Sequence, residues 1–371
     1  MTLTTEDPRT APDAASDRGR SPKATRRRSL RTVLSPRVIG AVYVWILAIV
    51  AFSIIEPDVF PTTTTVQGIT SQYAIPGLAA MAIIIALSCG AFDLTIGANI
   101  GLTGMVFAVL VGDGSGTPIG VALLLALLVG LAIGLANVFV VVVCKIDSFI
   151  GTLALAAMLT ALATAISDGQ FKPLTVEGAW GDIATGSLLG IQLPFYYLLV
   201  LTVVLGLWLE RTTMGRYTYA TGFDAETARL TGLPVARLRA TGYLVSGVLG
   251  AFTGVLYATM IASSTPGGGD AFLLPAFSAA FLGATQIRPG RFNTWGTLIA
   301  VLLVATGDYG ITILGGAQWT TQLFQGVILI VAIGLGTVGG RRLAGAERVR
   351  RVPRLFRRRP APDATGGGTV A

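Results

Sequence analysis

The chain has 371 residues, of which 53% are hydrophobic and only 12% charged, with a formal net charge of +8 and a mean hydropathy of +0.71. A soluble domain carries about a quarter charged residues, so this composition excludes an ordinary water-soluble fold and points to lipid as the solvent of most of the surface. Histidine is absent, which excludes any mechanism that needs an imidazole base or ligand in this chain.

Residues 1–36 are polar, Arg-rich and Pro-containing, and cannot bury a core; they read as a disordered basic cytoplasmic tail without a signal-peptide cleavage pattern. Residues 37–340 form the predicted membrane domain. Hydropathy predicts ten spans there, near 38–55, 70–90, 94–112, 118–144, 149–167, 189–209, 240–262, 271–287, 294–314 and 318–338. The second, fifth and eighth are short or rich in Gly, Ala, Ser and Thr, a composition that suits helices packed on other helices. Residues 341–371 read as a second disordered Arg-rich cytoplasmic tail. No internal repeat is evident, and the two cysteines, Cys89 and Cys144, read as small packing residues without metal-ligand spacing.

Charge tests the span count. With both tails inside, the inner segments hold 26 of the 27 basic residues, and only Lys172 falls outside. Such a bias fits the positive-inside rule. The expected fold class is therefore an all-α integral membrane protein of about ten transmembrane helices with both termini cytoplasmic. The same distribution explains the basic excess through topology, so no nucleic-acid partner is expected.

Two loops exceed simple turns. The outer one, 168–188, holds Asp168, Glu177, Trp180 and Asp182 and has the length to meet an external partner. In the inner one, 210–239, residues Asp224 to Leu230 predict a short helix stopped by Gly232 and Pro234. Asp224 and Glu226 stand where a helix N-terminus favours negative charge. The segment reads either as a solvated linker or as a docking helix that presents Ala225, Ala228 and Leu230 to a cytoplasmic protein.

Carboxylates inside apolar segments are costly, at about 2.5–3.5 kcal/mol at a helix centre. Asp93 lies between two spans and reads either as a cap on the next helix or as a lining of the solute path. Asp308, late in the ninth span, reads either as an outer-surface residue or as part of the pore. No Gly-x-x-x-x-Gly-Lys-Ser/Thr motif exists, so any ATPase is another polypeptide. No catalytic residue and no metal site is expected.

Four stretches carry a family resemblance. They are Gly90-Ala91-Phe92-Asp93-Leu94-Thr95-Ile96-Gly97; Phe149-Ile150-Gly151-Thr152-Leu153; Gly215-Arg216-Tyr217 followed by Ala220, Gly222 and Ala225 to Gly232; and Leu282-Gly283-Ala284-Thr285 with Gly296-Thr297. In that order, over about residues 40–337, the chain resembles permease subunits of bacterial ATP-binding-cassette importers for ribose, xylose, arabinose, galactose and related solutes. Ala91, Ala284, Pro289, Phe292, Asn293 and Pro275 depart from that pattern, Pro275 at a position usually acidic.

The resemblance implies a multi-pass protein of the bacterial cytoplasmic membrane that pairs with a second permease copy, the same or different. It also implies a cytoplasmic ATPase that uses the ATP, an extracytoplasmic solute-binding protein, and no cofactor bound by this chain. It places ATPase coupling at Gly215, Arg216, Gly222, Asp224, Ala225, Glu226, Ala228, Arg229 and Gly232. The solute path or helix-start residues would be Gly90, Asp93, Leu94, Gly97, Phe149, Thr152 and Asp308. The alternative is a carrier coupled to an ion gradient, for which Asp93 and Asp308 would be the working groups.

Overall fold

The computed structural model describes residues 40–112, 117–174, 176 and 178–351, with side chains up to residue 334 except Ala179. The predicted tail at 1–36 lies outside these residues. Thirteen α-helices follow one another among them: α1 Gly40–Ile55, α2 Thr63–Ser88, α3 Ile96–Val111, α4 Ile119–Asn137, α5 Ser148–Ser167, α6 Ala179–Thr185, α7 Leu193–Arg211, α8 Thr213–Phe223, α9 Ala225–Leu230, α10 Val235–Met260, α11 Leu273–Ala284, α12 Thr294–Ile313 and α13 Gln318–Arg351. Helix α4 continues as a π-helical turn, Val138–Val143, and α11 is led in by a 3-10 turn, Asp270–Phe272.

Among the described residues six helices are long and apolar enough to cross a membrane: α2, α4 with its π-turn, α5, α7, α10 and α12. Four shorter apolar helices, Gly40–Ile55, Ile96–Val111, Asp270–Ala284 and Gln318–Gly334, fall on the remaining predicted segments. The boundaries move where polar residues continue a helix. Helix α2 starts at Thr63, where Thr62 accepts a hydrogen bond from Thr65 N at 3.3 Å. Helix α10 starts at Val235 and carries Arg237 and Arg239 in its first turns. The last helix runs to Arg351, past the predicted end of its span and into the segment read as a tail.

Among the described residues four two-residue strands sit in the connections. Strands β2 (Ser187–Leu188) and β3 (Ile191–Gln192) form a hairpin ahead of α7. Strands β1 (Lys172–Pro173) and β4 (Ser263–Ser264) are antiparallel, with Lys172 opposite Ser264, and tie the segment after α5 to the segment after α10. This ladder marks one end of the bundle, and α8 and α9 occupy the other.

Helix α2 runs through the middle. Its best 18-residue window is 83% buried, against 22% for α5. Ala74, Ala79, Ala80 and Ala82 leave room for α7, α10, α11 and α12 to close around it, and Met81, Ile83 and Ile84 fill the gaps. The expectation that the second predicted span is packed inside therefore holds, whereas α5, equally rich in small residues, leaves most of its surface uncovered by this chain.

A repeated packing pattern appears that the sequence did not display. Short α3 packs on α4 and α5, and short α11 packs on α12 and α13. The long helix ahead of each short one crosses into the other half: α10 lies on α3 and α4, and α2 on α11 and α12.

Helices α3 and α10 meet through polar knobs and glycines. Asn99 Nδ2 donates to Gly247 O at 2.9 Å, and Thr103 Oγ1 donates to Asn99 O at 2.6 Å. A Cβ at Gly254 would run into Thr103 Oγ1 and Ile100 O. We predict that Gly254→Leu costs at least about 1–3 kcal/mol by overpacking and lowers the Tm of the purified protein. Gly326→Leu, where a Cβ meets nothing within 4 Å, should leave the Tm unchanged. Equal Tm values for the two variants would contradict this packing.

Candidate functional site

The inner-loop segment is built by local caps. Thr212 accepts from Gly215 N at 3.0 Å and starts α8. Asp224 starts α9 by accepting from Glu226 N at 3.0 Å and Thr227 N at 3.1 Å, while Thr227 Oγ1 donates to it at 2.6 Å. The Thr227 hydroxyl and the backbone N–H groups hold the Asp224 carboxyl below its usual range. Gly232 ends the helix at φ +84°, a left-handed conformation that suits glycine. Gly232 N bonds Arg229 O and Leu233 N bonds Ala228 O, both at 3.0 Å, which satisfies the last carbonyls. Arg229 and Glu226 form a 2.8 Å ion pair, but both side chains are exposed and the pair adds little stability.

The surface these helices present differs from the expected one. Ala228 turns into the bundle at 4% exposure and Ala225 is half-buried, so neither forms an outward face. The exposed apolar side chains are Met214, Tyr217, Phe223 and Leu230, the last two at 64% and 78% exposure. Arg216 and Arg229 are exposed among them. The guanidinium of Arg291 lies 5.2 Å from the centre of the Tyr219 ring and 5.1 Å from that of Phe223. This cationic rim around aromatic and aliphatic side chains was not legible in the loop alone, because Arg291 arrives from the turn before α12.

Behind this surface the segment touches the end of α2. A Cβ at Gly222 would run into the Ser88 carbonyl oxygen and reach Gly90 N at 3.2 Å, so the two backbones meet directly. Tyr219, whose hydroxyl burial and nearby Glu210 push up to about 12, donates to Phe292 O at 2.8 Å. The end of α8 is thereby held against both the α2–α3 turn and the α11–α12 turn.

In that α2–α3 turn the first two resemblance motifs meet. Asp93 Oδ1 accepts from Thr95 N at 3.0 Å, Thr95 Oγ1 at 2.5 Å and Asn137 Nδ2 at 3.3 Å. Its Oδ2 accepts from Ser246 Oγ at 2.5 Å. Leu94 N donates to Thr152 Oγ1 at 3.1 Å, and Phe92 N donates to Ser148 Oγ at 3.2 Å. The rings of Phe92 and Phe149 meet edge-on at 6.2 Å, and Tyr243 donates its hydroxyl to Phe92 O at 2.9 Å. Asp93 is thus more than a helix cap: it joins α3, α4 and α10. Gly90 stands at the Gly222 contact, and Gly97 faces Gly269 and Asp270.

Asp308 is separate from this group. It is 3% exposed within α12, which removes the surface reading, and accepts from Tyr73 at 2.5 Å. Its second oxygen has no partner among the described residues. Sequence reasoning missed Asn137, Ser246, Tyr243, Tyr73 and Arg291. Asn137 alone carried a signal, as a lone amide in a strongly apolar run; the others are ordinary residues for their helices.

The four donors on Asp93 generate a prediction. Hydrogen bonds to a charged group contribute about 1.5–3 kcal/mol each, and Asp93→Asn sets an amide NH2 against donors. Asp93→Asn should lower Tm and membrane yield more than Ser246→Ala does, with solute choice unchanged. Altered solute choice in protein of wild-type Tm would contradict the structural role.

Comparison with known proteins shows the family of the chain. Residues 65–333 match the family model described as branched-chain amino acid transport system / permease component. The ribose import permease protein RbsC of Bacillus subtilis (strain 168) is 31% identical over 290 residues, covering 77% of this chain and 88% of that protein. The L-arabinose transport system permease protein AraH of Escherichia coli (strain K12) is 30% identical over 294 residues, 79% of this chain and 88% of the relative. The autoinducer 2 import system permease protein LsrD of Escherichia coli (strain K12) is 30% identical over 294 residues, 78% of this chain and 88% of the relative. No solved structure matches the chain. On these matches the chain is a multi-pass membrane protein and belongs to the family of branched-chain amino acid transport system permease components.

Proposed function

We propose that this chain is the membrane-spanning permease subunit of an ATP-binding-cassette importer, translocating a small polar solute of the monosaccharide class delivered by an extracytoplasmic binding protein. The ten apolar helices all act as spans in this reading, and the distribution of basic residues supports a cytoplasmic side for both termini and the α8–α9 end. A second permease copy completes the solute path, and the ATPase subunits are separate chains that use the ATP. The chain itself is no enzyme.

The observation that carries the reading is the contact of Gly222 with Ser88 and Gly90. A push on α9 by an ATPase closing on ATP reaches the end of the central helix through backbone alone. From there it reaches the Asp93 turn, which is bonded to α4, α5 and α10. Such a rigid linkage lets a small displacement at a docking surface change the packing of several helices together. The alternative of an ion-gradient carrier draws on Asp308 and its unpartnered oxygen. Asp93, with four donors already in place, does not suit that role.

Three substitutions test the coupling surface in the assembled importer, read as uptake of labelled D-ribose, L-arabinose and D-xylose beside ATP hydrolysis. Gly232→Trp strains the left-handed stop, Glu226→Lys reverses a charge on α9, and Gly222→Val parts α8 from α2. Each should leave ATP hydrolysis running while uptake falls at least about ten-fold (about 1.4 kcal/mol of coupling). Wild-type uptake in all three variants would remove the assignment, and uptake that follows a proton or sodium gradient without ATP would favour the carrier.

A further inference from the structure

The segment between α10 and α11 runs from the end of the bundle into its interior. At the β1–β4 end, a Cβ at Gly112, just past α3, would stand 3.6 Å from Pro173 O, and Pro173 pairs with Ser263. Farther along the segment, a Cβ at Gly97 would stand 3.1 Å from Asp270 Cα and from Gly269 O, and one at Gly101 would stand 3.4 Å from Gly269 N. Gly97 and Val111 are separated along α3 by about 21 Å at 1.5 Å per residue. The hydrocarbon core of a bilayer is about 30 Å thick. Asp270 therefore lies inside the membrane, about two-thirds of the way across from the β1–β4 end, where a non-helical stretch, Thr265–Gly269, gives way to the 3-10 turn and α11.

Irregular backbone at such depth is tolerated where it is buried in protein or lines a water-filled cavity. Gly269 is buried against α3, but Asp270 is exposed in the protomer. No hydrogen-bond donor or cation of the described residues meets its carboxylate. This sets it apart from the other two deep carboxylates: Asp93 has four donors, and Asp308 has Tyr73. A bare carboxylate facing lipid inside the hydrocarbon core is strongly disfavoured. The neighbouring α5, whose Thr160 methyl lies 3.8 Å from where a Gly267 Cβ would stand, is itself little covered by this chain.

We propose that Asp270 lines the aqueous solute path and accepts hydrogen bonds from the hydroxyl groups of the passing solute. The proposal rests on the importer reading above and gives it a contact point within the membrane. A carboxylate with two free oxygens matches a polyhydroxylated, uncharged solute, since adjacent hydroxyls donate to both oxygens at once. It also disfavours anions on the same path.

The test uses the full chain in the assembled importer in membrane vesicles, with Cys144→Ser removing the exposed thiol. Asp270→Cys is compared with Leu135→Cys, an exposed residue of α4 about 24 Å along that helix from Ile119 and so at similar depth. A membrane-impermeant cationic thiosulfonate, applied from either side, should modify Asp270→Cys at least about ten-fold faster. Equal, slow modification would overturn the placement in the path. In parallel, Asp270→Ala should cut ATP-driven uptake of labelled D-ribose, L-arabinose and D-xylose at least ten-fold in a complex that stays intact on gel filtration. Asp270→Asn, which keeps one acceptor oxygen, should retain more; wild-type uptake in Asp270→Ala would overturn the solute contact. If the wild-type complex moves none of the three sugars, the importer reading has failed for this solute class, and the thiol rates still decide whether Asp270 faces water.

Discussion

A turn that breaks a helix where it is buried from water must supply partners for its backbone from the protein's own side chains. The turn between α2 and α3 meets that demand with one carboxylate and its neighbours. Asp93 takes N–H and O–H groups from Thr95, Asn137 and Ser246, while Thr152 and Ser148 take the N–H groups of Leu94 and Phe92. Because these partners sit on α3, α4, α5 and α10, the same bonds that satisfy the turn fix four helices relative to one another. Within this network the Asp93 carboxylate is fully satisfied, while the Asn137 side-chain oxygen has no partner among the described residues.

That arrangement gives the architecture a mechanical consequence. The central α2 ends at Ser88, and Gly222 lies against its last carbonyl with no side chain between. Aromatic contacts extend the linkage sideways: Phe92 stacks on Phe281 at 6.3 Å, and Phe281 meets Phe292 at 5.3 Å. The turns that follow α2 and α11 are therefore packed on each other and on α8. Helix α8 therefore touches the turns that follow both α2 and α11.

Much of this was legible in the sequence, for identifiable reasons. Long apolar runs located the six helices that are long and apolar enough to cross a membrane and the four shorter apolar helices among the described residues. Helix α9 was legible because its signals are local: Asp224 caps it and Gly232 stops it within the same few residues. What escaped depends on contacts between distant segments. Ala228 was expected outside and lies inside, because a six-residue helix has too little pattern to show which face packs. The polar partners Ser246 and Tyr243 look like ordinary residues of α10 until the turn carrying Asp93 is laid against them. The repeated packing of α3 on α4 and α5, and of α11 on α12 and α13, carries no repeated residues to detect.

The central claim is that the α8–α9 surface is where a separate ATP-binding subunit acts on this chain. The most direct measurement is co-purification from membranes of this chain with the ATP-binding subunit encoded beside it, using Leu230→Asp to place a charge on the most exposed apolar residue of α9. The account predicts a stable complex with the wild-type chain and none with the variant, both chains being equally well folded. A complex that survives Leu230→Asp, or no complex with the folded wild-type chain, would contradict it.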